Sequence, residues 1–362
     1  MGYFGLLIIT LVFLAYLIRG GWRTLRPTYL DLPIAVFLLI RIISTVTSVD
    51  PVTSWKGLEK SGLLLAYYPL AHMNLGRERR LAGVWIHVAA IIIAAAAGGF
   101  EVALGMERRV VSRTGGYTTF AEILAVAACL GAAFMAFSRG KRWLAQGAAA
   151  FVALGALVLT FCRGQWLGLA AGLGLIGGLK DRKAFAALAL VAAAALIAVW
   201  LSPVGLASGR FTLGDPAFEN YRDVLWRGGL EQAFARPLTG FGPNTIKIVF
   251  PDQTRFYSPV AKVIGWHNDF LQLAVESGLG AVVAMLWIGT AAFGGTLAAF
   301  RRREADYRFR ALGLGLAAAV LTLVVGALVG NVVTDPAMLI QFVFLFGLFA
   351  PYAGGGGNDD AV

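Results

Sequence analysis

Charged side chains are scarce in this chain. They make up 14% of its 362 residues, against about 25% in an ordinary soluble domain. Hydrophobic residues reach 58% and mean hydropathy is +0.73. So little charge excludes a soluble globular fold and points to an integral membrane protein. Histidine is scarcer still, with 3 residues, and cysteine has 2. With so few histidines and no Cys cluster outside the apolar runs, a protein-ligated zinc site is not expected. Cys129 falls in the middle of an apolar run and Cys162 at the end of one. A disulfide between such different depths does not fit the geometry, so both read as small buried hydrophobes. Gly-x-Ser-x-Gly and Walker-type phosphate loops are absent too, which removes serine hydrolases and nucleotide-driven pumps. The first apolar run, Tyr3 to Ile18, lacks a basic region before it and an Ala-x-Ala-type site behind it. It reads as a membrane span and not as a cleaved signal peptide.

What remains is a series of apolar runs near the length needed to cross a bilayer, separated by short basic clusters. The expected spans are Tyr3 to Ile18, Tyr29 to Thr47, Ser61 to Leu75, Leu81 to Leu104, Tyr117 to Phe137, Trp143 to Phe161, Gln165 to Leu179, Ala184 to Leu201, Asn268 to Phe300, Ala311 to Asn331 and Ala337 to Tyr352. Gly-rich segments such as Gln165 to Leu179 suit close helix packing inside a bundle. The net charge of +11 does not imply nucleic acid, because the Lys and Arg residues sit between spans, where topology and anionic membrane lipid account for them. Alternate connections hold Arg19/Arg23/Arg26, Arg77/Arg79/Arg80, Arg139/Lys141/Arg142, Lys180/Arg182/Lys183 and Arg301/Arg302/Arg303/Arg308/Arg310. Those connections are expected to be cytoplasmic. The opposite face then holds one long segment, Ser202 to Trp266, with brief connections near Asp50, Arg108, Arg163 and Asp335. On this count the chain starts outside and ends inside.

Arg163, His267 and the long segment therefore share the outer face. That face has neither ATP nor nucleotide sugars, so an enzyme working there needs a donor that carries its own energy, such as a lipid-linked pyrophosphate. Arg163 in FCRGQWLG sits at the membrane boundary, either as a functional cation or as a snorkelling side chain. In the outer segment, Glu219 to Ala235 reads as a short amphipathic helix lying along the membrane surface, weakened by Gly228-Gly229. Arg210, Arg222, Arg227, Arg236, Lys247, Arg255 and Lys262 outnumber the acidic residues there, which suits a phosphate-bearing partner or a simple solvated loop. Pro237 to Pro243 is turn-rich and either cradles a ligand or reverses the chain. In Trp266-His267-Asn268-Asp269, the imidazole suits proton transfer from a hydroxyl, while Asn and Asp equally suit a helix cap. His72 and His87 flank an inner connection. Arg41, Glu101 and Glu122 fall inside spans, as they would in an ion pathway, so a transporter is the competing class.

Three stretches in this order, FCRGQWLG, NYRDVLWRGGLEQAFARPLTGFGP and HNDFLQLAVESGLGA, resemble the O-antigen ligase and polymerase superfamily of bacterial envelope glycosyltransferases. Cys162 stands where that family's Ser-Arg-Gly-x-x-x-Gly element has serine. The resemblance covers Phe161 to Gly280 and extends to the flanking spans only as a general pattern. It implies transfer of a glycan from undecaprenyl pyrophosphate to a hydroxyl acceptor on the periplasmic face of the bacterial inner membrane, with inversion and without metal or other cofactor. It makes Arg163 and Arg222 the pyrophosphate-binding arginines and His267 the base. It assigns nothing to Arg210, Arg227, Asn268, Asp269 or Glu276. The family's plan of twelve spans with both termini inside has one span more than the count above.

The expected fold is thus an all-α polytopic membrane protein of about 11–12 transmembrane helices, with one larger periplasmic segment containing a short amphipathic helix. Its parts are an N-terminal bundle over 1–201, the periplasmic segment 202–266, a C-terminal bundle over 267–353 and a disordered cytoplasmic tail, 354–362. The expected function is O-antigen ligase acting on lipid A-core. The alternatives are a polymerase whose acceptor is another lipid-linked glycan, an enzyme that glycosylates protein, and a transporter or flippase of polyprenyl-linked glycan.

Overall fold

The computed structural model describes residues 11, 13–19, 25, 27–72, 75–107, 109–111, 116–180, 186, 190, 222–250, 265–302, 304, 306–332 and 334–353. Among them every regular element is a helix. In chain order these are α1 (Asp31–Val46), α2 (Pro51–Ser61), a 3-10 turn (Gly62–Ala66), α3 (Tyr67–His72), α4 (Arg77–Ala103), α5 (Gly116–Phe137), α6 (Gly140–Leu159), α7 (Arg163–Leu179), α8 (Arg222–Ala235), α9 (Ile246–Val249), α10 (Asp269–Ser277), α11 (Leu279–Arg301), α12 (Tyr307–Ala327) and α13 (Pro336–Ala353). Among the described residues, α4, α5, α6, α11 and α12 are long and apolar enough to cross a membrane. The protein is an all-α, multi-pass membrane protein. The expected span Ala184 to Leu201, residue Arg210 and the tail 354–362 lie outside the described residues, as does most of Tyr3 to Ile18.

Two of the expected spans take another form. Ser61 to Leu75 is a 3-10 turn followed by the short α3. The reason is Pro69, whose missing N–H leaves the Leu65 carbonyl without an α-helical donor and whose ring crowds that carbonyl. Asn268 to Phe300 is two helices, α10 and α11, parted at Gly278 with φ +78°. A β-carbon at Gly278 would stand 2.5 Å from the Leu238 carbonyl carbon. Only glycine lets the chain pass there.

The described chain divides into two compact units. One comprises Met1–Val84, Asp223–Gly295 and Val333–Val362, the other Trp85–Arg222 and Thr296–Val332. In the second unit α5 and α12 are mostly buried, and α12 packs on both α5 and α7. The packing face of α7 is a glycine stripe at four-residue spacing, Gly164, Gly168 and Gly172. A β-carbon at Gly172 would lie 2.7 Å from the Ala318 carbonyl oxygen, and those at Gly164 and Gly168 would collide with Val329 and Thr322 of α12 and its C-terminal extension. Small residues here let the two backbones approach, as expected for a packed membrane bundle. The outer helix α4 buries Val88, Ile91 and Ala95 while exposing Ile86, Ile93 and Phe100, seven residues apart. Such a stripe on one face suits hydrocarbon.

Three basic connections meet at one end of this unit. Lys180 lies 4.3 Å from the Phe137 ring centre, Arg310 packs on Phe137 and Phe300, and Arg142 donates to the Tyr307 hydroxyl at 3.0 Å. Arg163 begins α7 at the opposite end. Cys129 is fully buried beside Thr322 and Cys162 is half-buried, and neither is in a disulfide among the described residues.

In the first unit, α2 starts with a strong local signal. The Asp50 carboxylate accepts from Val52 N, Thr53 N and Thr53 Oγ1, and Pro51 occupies the first helical position. These bonds, the Thr53 hydroxyl's foremost, hold the carboxyl below its ordinary range. At the other end, buried Arg80 donates to the Leu75 and Leu348 carbonyls and so ties the start of α4 to the last helix.

Candidate active site

Each of the three arginine and histidine positions is set by local structure. Arg163 is the first residue of α7 and is exposed. The chain reaches it through Phe161, a non-glycine residue with φ +58°, a conformation L-residues rarely adopt. Thr160 stabilises the bend: its buried hydroxyl donates to the Leu157 carbonyl at 2.7 Å and accepts from Cys162 N at 3.2 Å. Trp166 Nε1 donates to the same Leu157 carbonyl. The glycine stripe that follows Arg163 anchors its helix, so the guanidinium projects from a rigid base.

Arg222 opens α8 and is half-buried. Its Nε is buried without a hydrogen-bond partner among the described residues. A buried guanidinium nitrogen left unmatched is costly, and a phosphate oxygen is the acceptor that fits it. Downstream in α8, Leu225 and Ala233 face a cluster with Ile246, Trp266, Leu271, Ala274 and Val275, whereas Leu230 and Phe234 face outward. Apolar positions that read as one stripe in the sequence thus serve two faces. Gly228 and Gly229 explain the close fit, since β-carbons there would meet the Phe250 ring at 2.7 Å and the Trp266 ring at 2.8 Å. The glycine pair is a packing device.

His267 stands between Trp266 and α10 with φ +52°, the left-handed region again. Asn268 is the N-cap of α10, its side chain accepting from Leu271 N at 3.0 Å. Asp269 is fully buried and accepts from the Thr334 hydroxyl at 3.1 Å. The two neighbours thus carry the structural work of the turn, and the half-buried His267 precedes the cap without being it. His267 belongs to the first unit and Arg163 and Arg222 to the second.

Sequence reasoning gave no role to a buried polar network behind α10. Arg41, 3% exposed, donates to Glu276 Oε2 at 2.8 Å, Ser277 Oγ at 2.9 Å and Ser61 Oγ at 3.1 Å. Ser44 Oγ donates to the Glu276 carbonyl, and Glu276 Oε1 accepts from Asn244 N and Gln272 Nε2. Arg41 is therefore an ion-pair partner, which accounts for its charge inside a span without an ion pathway. The turn Pro237 to Pro243 is the other half of this junction. Phe241 N donates to Val275 O, Gly242 N to Glu276 O, and Phe241 O accepts from Val49 N and Ser48 Oγ. Gly240 and Gly242 have φ +65° and +106°, and side chains there would strike Glu276, Ser48 and Ser54. The turn is a structural clamp. The signal that could have revealed this network was a lone arginine in an apolar span, which demands a buried carboxylate, together with Gln272 and Glu276 at i, i+4 on the otherwise apolar α10.

No three of His, Cys, Asp or Glu come together as a metal-ligand set among the described residues. No curated protein matches the chain. Residues 148–286, a stretch that includes Arg163, Arg222, the clamp, His267 and Glu276, match the family described as O-Antigen ligase. Over that stretch the chain is similar to the O-antigen ligase family, and the stretch is set in a multi-pass helical membrane protein.

Proposed function

We propose that the protein is a metal-independent, inverting glycosyltransferase of the bacterial inner membrane. It moves a glycan from undecaprenyl pyrophosphate to a hydroxyl on the periplasmic face, with lipid A-core as acceptor. The observation that carries this reading is the family match over 148–286, which includes the three residues whose chemistry the reaction needs. His267 takes the proton of the acceptor hydroxyl as its oxygen attacks the anomeric carbon. The bond from that carbon to the pyrophosphate breaks on the opposite face, which inverts the centre. Undecaprenyl pyrophosphate leaves carrying the bonding electron pair. Arg163 and Arg222 pair with the phosphate oxygens as their charge grows, the task a metal ion performs elsewhere. The buried Nε of Arg222, unmatched among the described residues, supports an anion-binding role, and the left-handed backbone of His267 supports a functional one, since such strain collects at active sites.

The test is transfer from purified undecaprenyl-pyrophosphate glycan to lipid A-core in liposomes, with EDTA throughout. The native chain is compared with Arg163→Ala, Arg222→Ala and His267→Asn, asparagine being chosen because it tolerates the left-handed region. Transfer by the native chain and loss of at least about 10²-fold in each folded variant is expected, the range of a lost general base or charge-stabilising group. Lengthening of the lipid-linked glycan without transfer to lipid A-core assigns a polymerase instead. Movement of the donor across the bilayer by native and His267→Asn chains alike, with no glycosidic bond made, refutes the enzyme reading.

A further inference from the structure

His267 keeps φ +52° although its β-carbon disfavours that conformation. Such residues persist only where their surroundings over-determine them. On one side of His267, the Trp266 N–H donates to Gln272 Oε1 at 3.0 Å, and the Trp266 carbonyl accepts from Trp226 Nε1 at 3.1 Å. The Trp266 ring itself is fully buried. On the other side, the Asn268 carbonyl accepts from Gln272 N at 2.8 Å. Gln272 thus brackets the turn that carries His267, holding the Gly265–Trp266 peptide with its side chain and the Asn268–Asp269 peptide with its backbone.

The side-chain amide has a defined direction. Its Nε2 donates to Glu276 Oε1, and an ionised carboxylate only accepts, so the amide oxygen is turned toward Trp266 N. Glu276 is in turn immobilised by Arg41 on Oε2 and by Asn244 N on Oε1. Gln272 is 5% and Glu276 4% exposed, so water does not compete for these bonds. All of these residues lie within one compact unit.

We infer that Gln272 and Glu276 are positioning residues, and that the chain Arg41, Glu276, Gln272, Trp266 holds the imidazole of His267 at the angle from which it takes the acceptor's proton. The inference rests on the reading of His267 as the base. Gln272 touches no substrate in this account; it acts through the backbone on either side of His267.

The experiment uses the full chain in nanodiscs and two variants. Gln272→Met keeps the shape and removes the hold on Trp266 N. Trp226→Phe keeps the ring packing and removes the hold on Trp266 O, and it decides the matter if Gln272→Met does not fold. Two readouts are taken: kcat and KM for the lipid-linked donor, and hydrogen exchange of the peptide containing Trp266 to Leu271. Expected are a kcat lower by about tenfold or more in Gln272→Met and by a smaller factor in Trp226→Phe, KM within about threefold, and exchange at least about tenfold faster in that peptide alone. The inference is overturned if kcat stays within twofold of native, if KM rises while kcat does not fall, or if exchange in that peptide is unchanged. Should the native chain transfer nothing while exchange responds as expected, the base assignment fails and the backbone hold on His267 stands by itself.

Discussion

Replacing Arg41 with methionine should be among the most damaging single changes in the first unit. The variant keeps an apolar side chain of similar reach, so the loss is that of three hydrogen bonds, one of which is an ion pair. Arg41 and Glu276 side chains are 4% and 5% exposed, and their closest nitrogen and oxygen stand 2.8 Å apart. Removal of the guanidinium leaves a buried carboxylate with only Gln272 and Asn244 N to satisfy it, and takes a donor from the Ser61 and Ser277 hydroxyls, of which Ser61 keeps its bond to the Gly57 carbonyl. Breaking a buried pair in this way costs about 3–5 kcal/mol. At about 2–4 °C per kcal/mol for a unit of this size, the melting temperature should fall by roughly 10 °C or more. Tryptophan fluorescence follows the transition, since Trp226 and Trp266 sit in the adjoining cluster. Combining Arg41→Met with Glu276→Gln removes both charges, so the double variant should recover about 2 kcal/mol relative to the sum of the single losses. A melting temperature within about 2 °C of native for Arg41→Met, or strict additivity in the double variant, would refute the claim that this pair holds α10 to α1.

Further predictions test other parts of the structure. Gly172→Val should abolish accumulation of folded protein, because its side chain enters the α12 backbone at Ala318, whereas Gly174→Ala, with open space around it, should be neutral or stabilising by up to about 1 kcal/mol; yield after membrane extraction distinguishes them. Asn268→Ala loses the N-cap of α10 and should cost about 1 kcal/mol, read as a small drop in melting temperature. The Asp50 cap should show a pH dependence: its folded pKa is depressed, so its contribution is present above the ordinary carboxylate range and is lost as pH falls through the folded value. Native and Asp50→Ala chains should therefore differ in melting temperature at pH 7, and the difference should shrink as pH falls below the unfolded aspartate value of about 3.9 and vanish only below the still lower folded value. Finally, a maleimide should label half-buried Cys162 in the native protein and reach fully buried Cys129 only after denaturation.

The class of this protein was legible in its composition, and for a simple reason. In hydrocarbon every backbone polar group must be paired within its own element, so apolar runs of span length have helices as their outcome. The glycine stripe of α7 was legible for the same kind of reason: four-residue spacing of Gly164, Gly168 and Gly172 puts bare backbone on one face. Arg163 and His267 stood out because ionisable groups are rare at span ends in such a chain, whereas Arg222, one of seven basic residues in its segment, was singled out only by the resemblance of three short stretches to a known family. The division of Asn268 to Phe300 was not legible, since hydropathy does not register one glycine in a left-handed conformation.

What the sequence by itself determined is therefore the helical membrane architecture and its Gly-rich packing segments, and it supplied a short set of candidate side chains for the proposed chemistry. Each of these depends on residue type and local spacing. Only the tertiary structure decided that Arg41 neutralises Glu276 across more than 200 residues of chain, that Gln272 links Glu276 to Trp266, and that the Pro237 to Pro243 turn is a clamp. Those pairings are settled by which buried polar groups meet when α1, α2 and α10 pack together. No local preference in the chain encodes that choice, because a buried donor takes whichever acceptor the fold brings within about 3 Å of it.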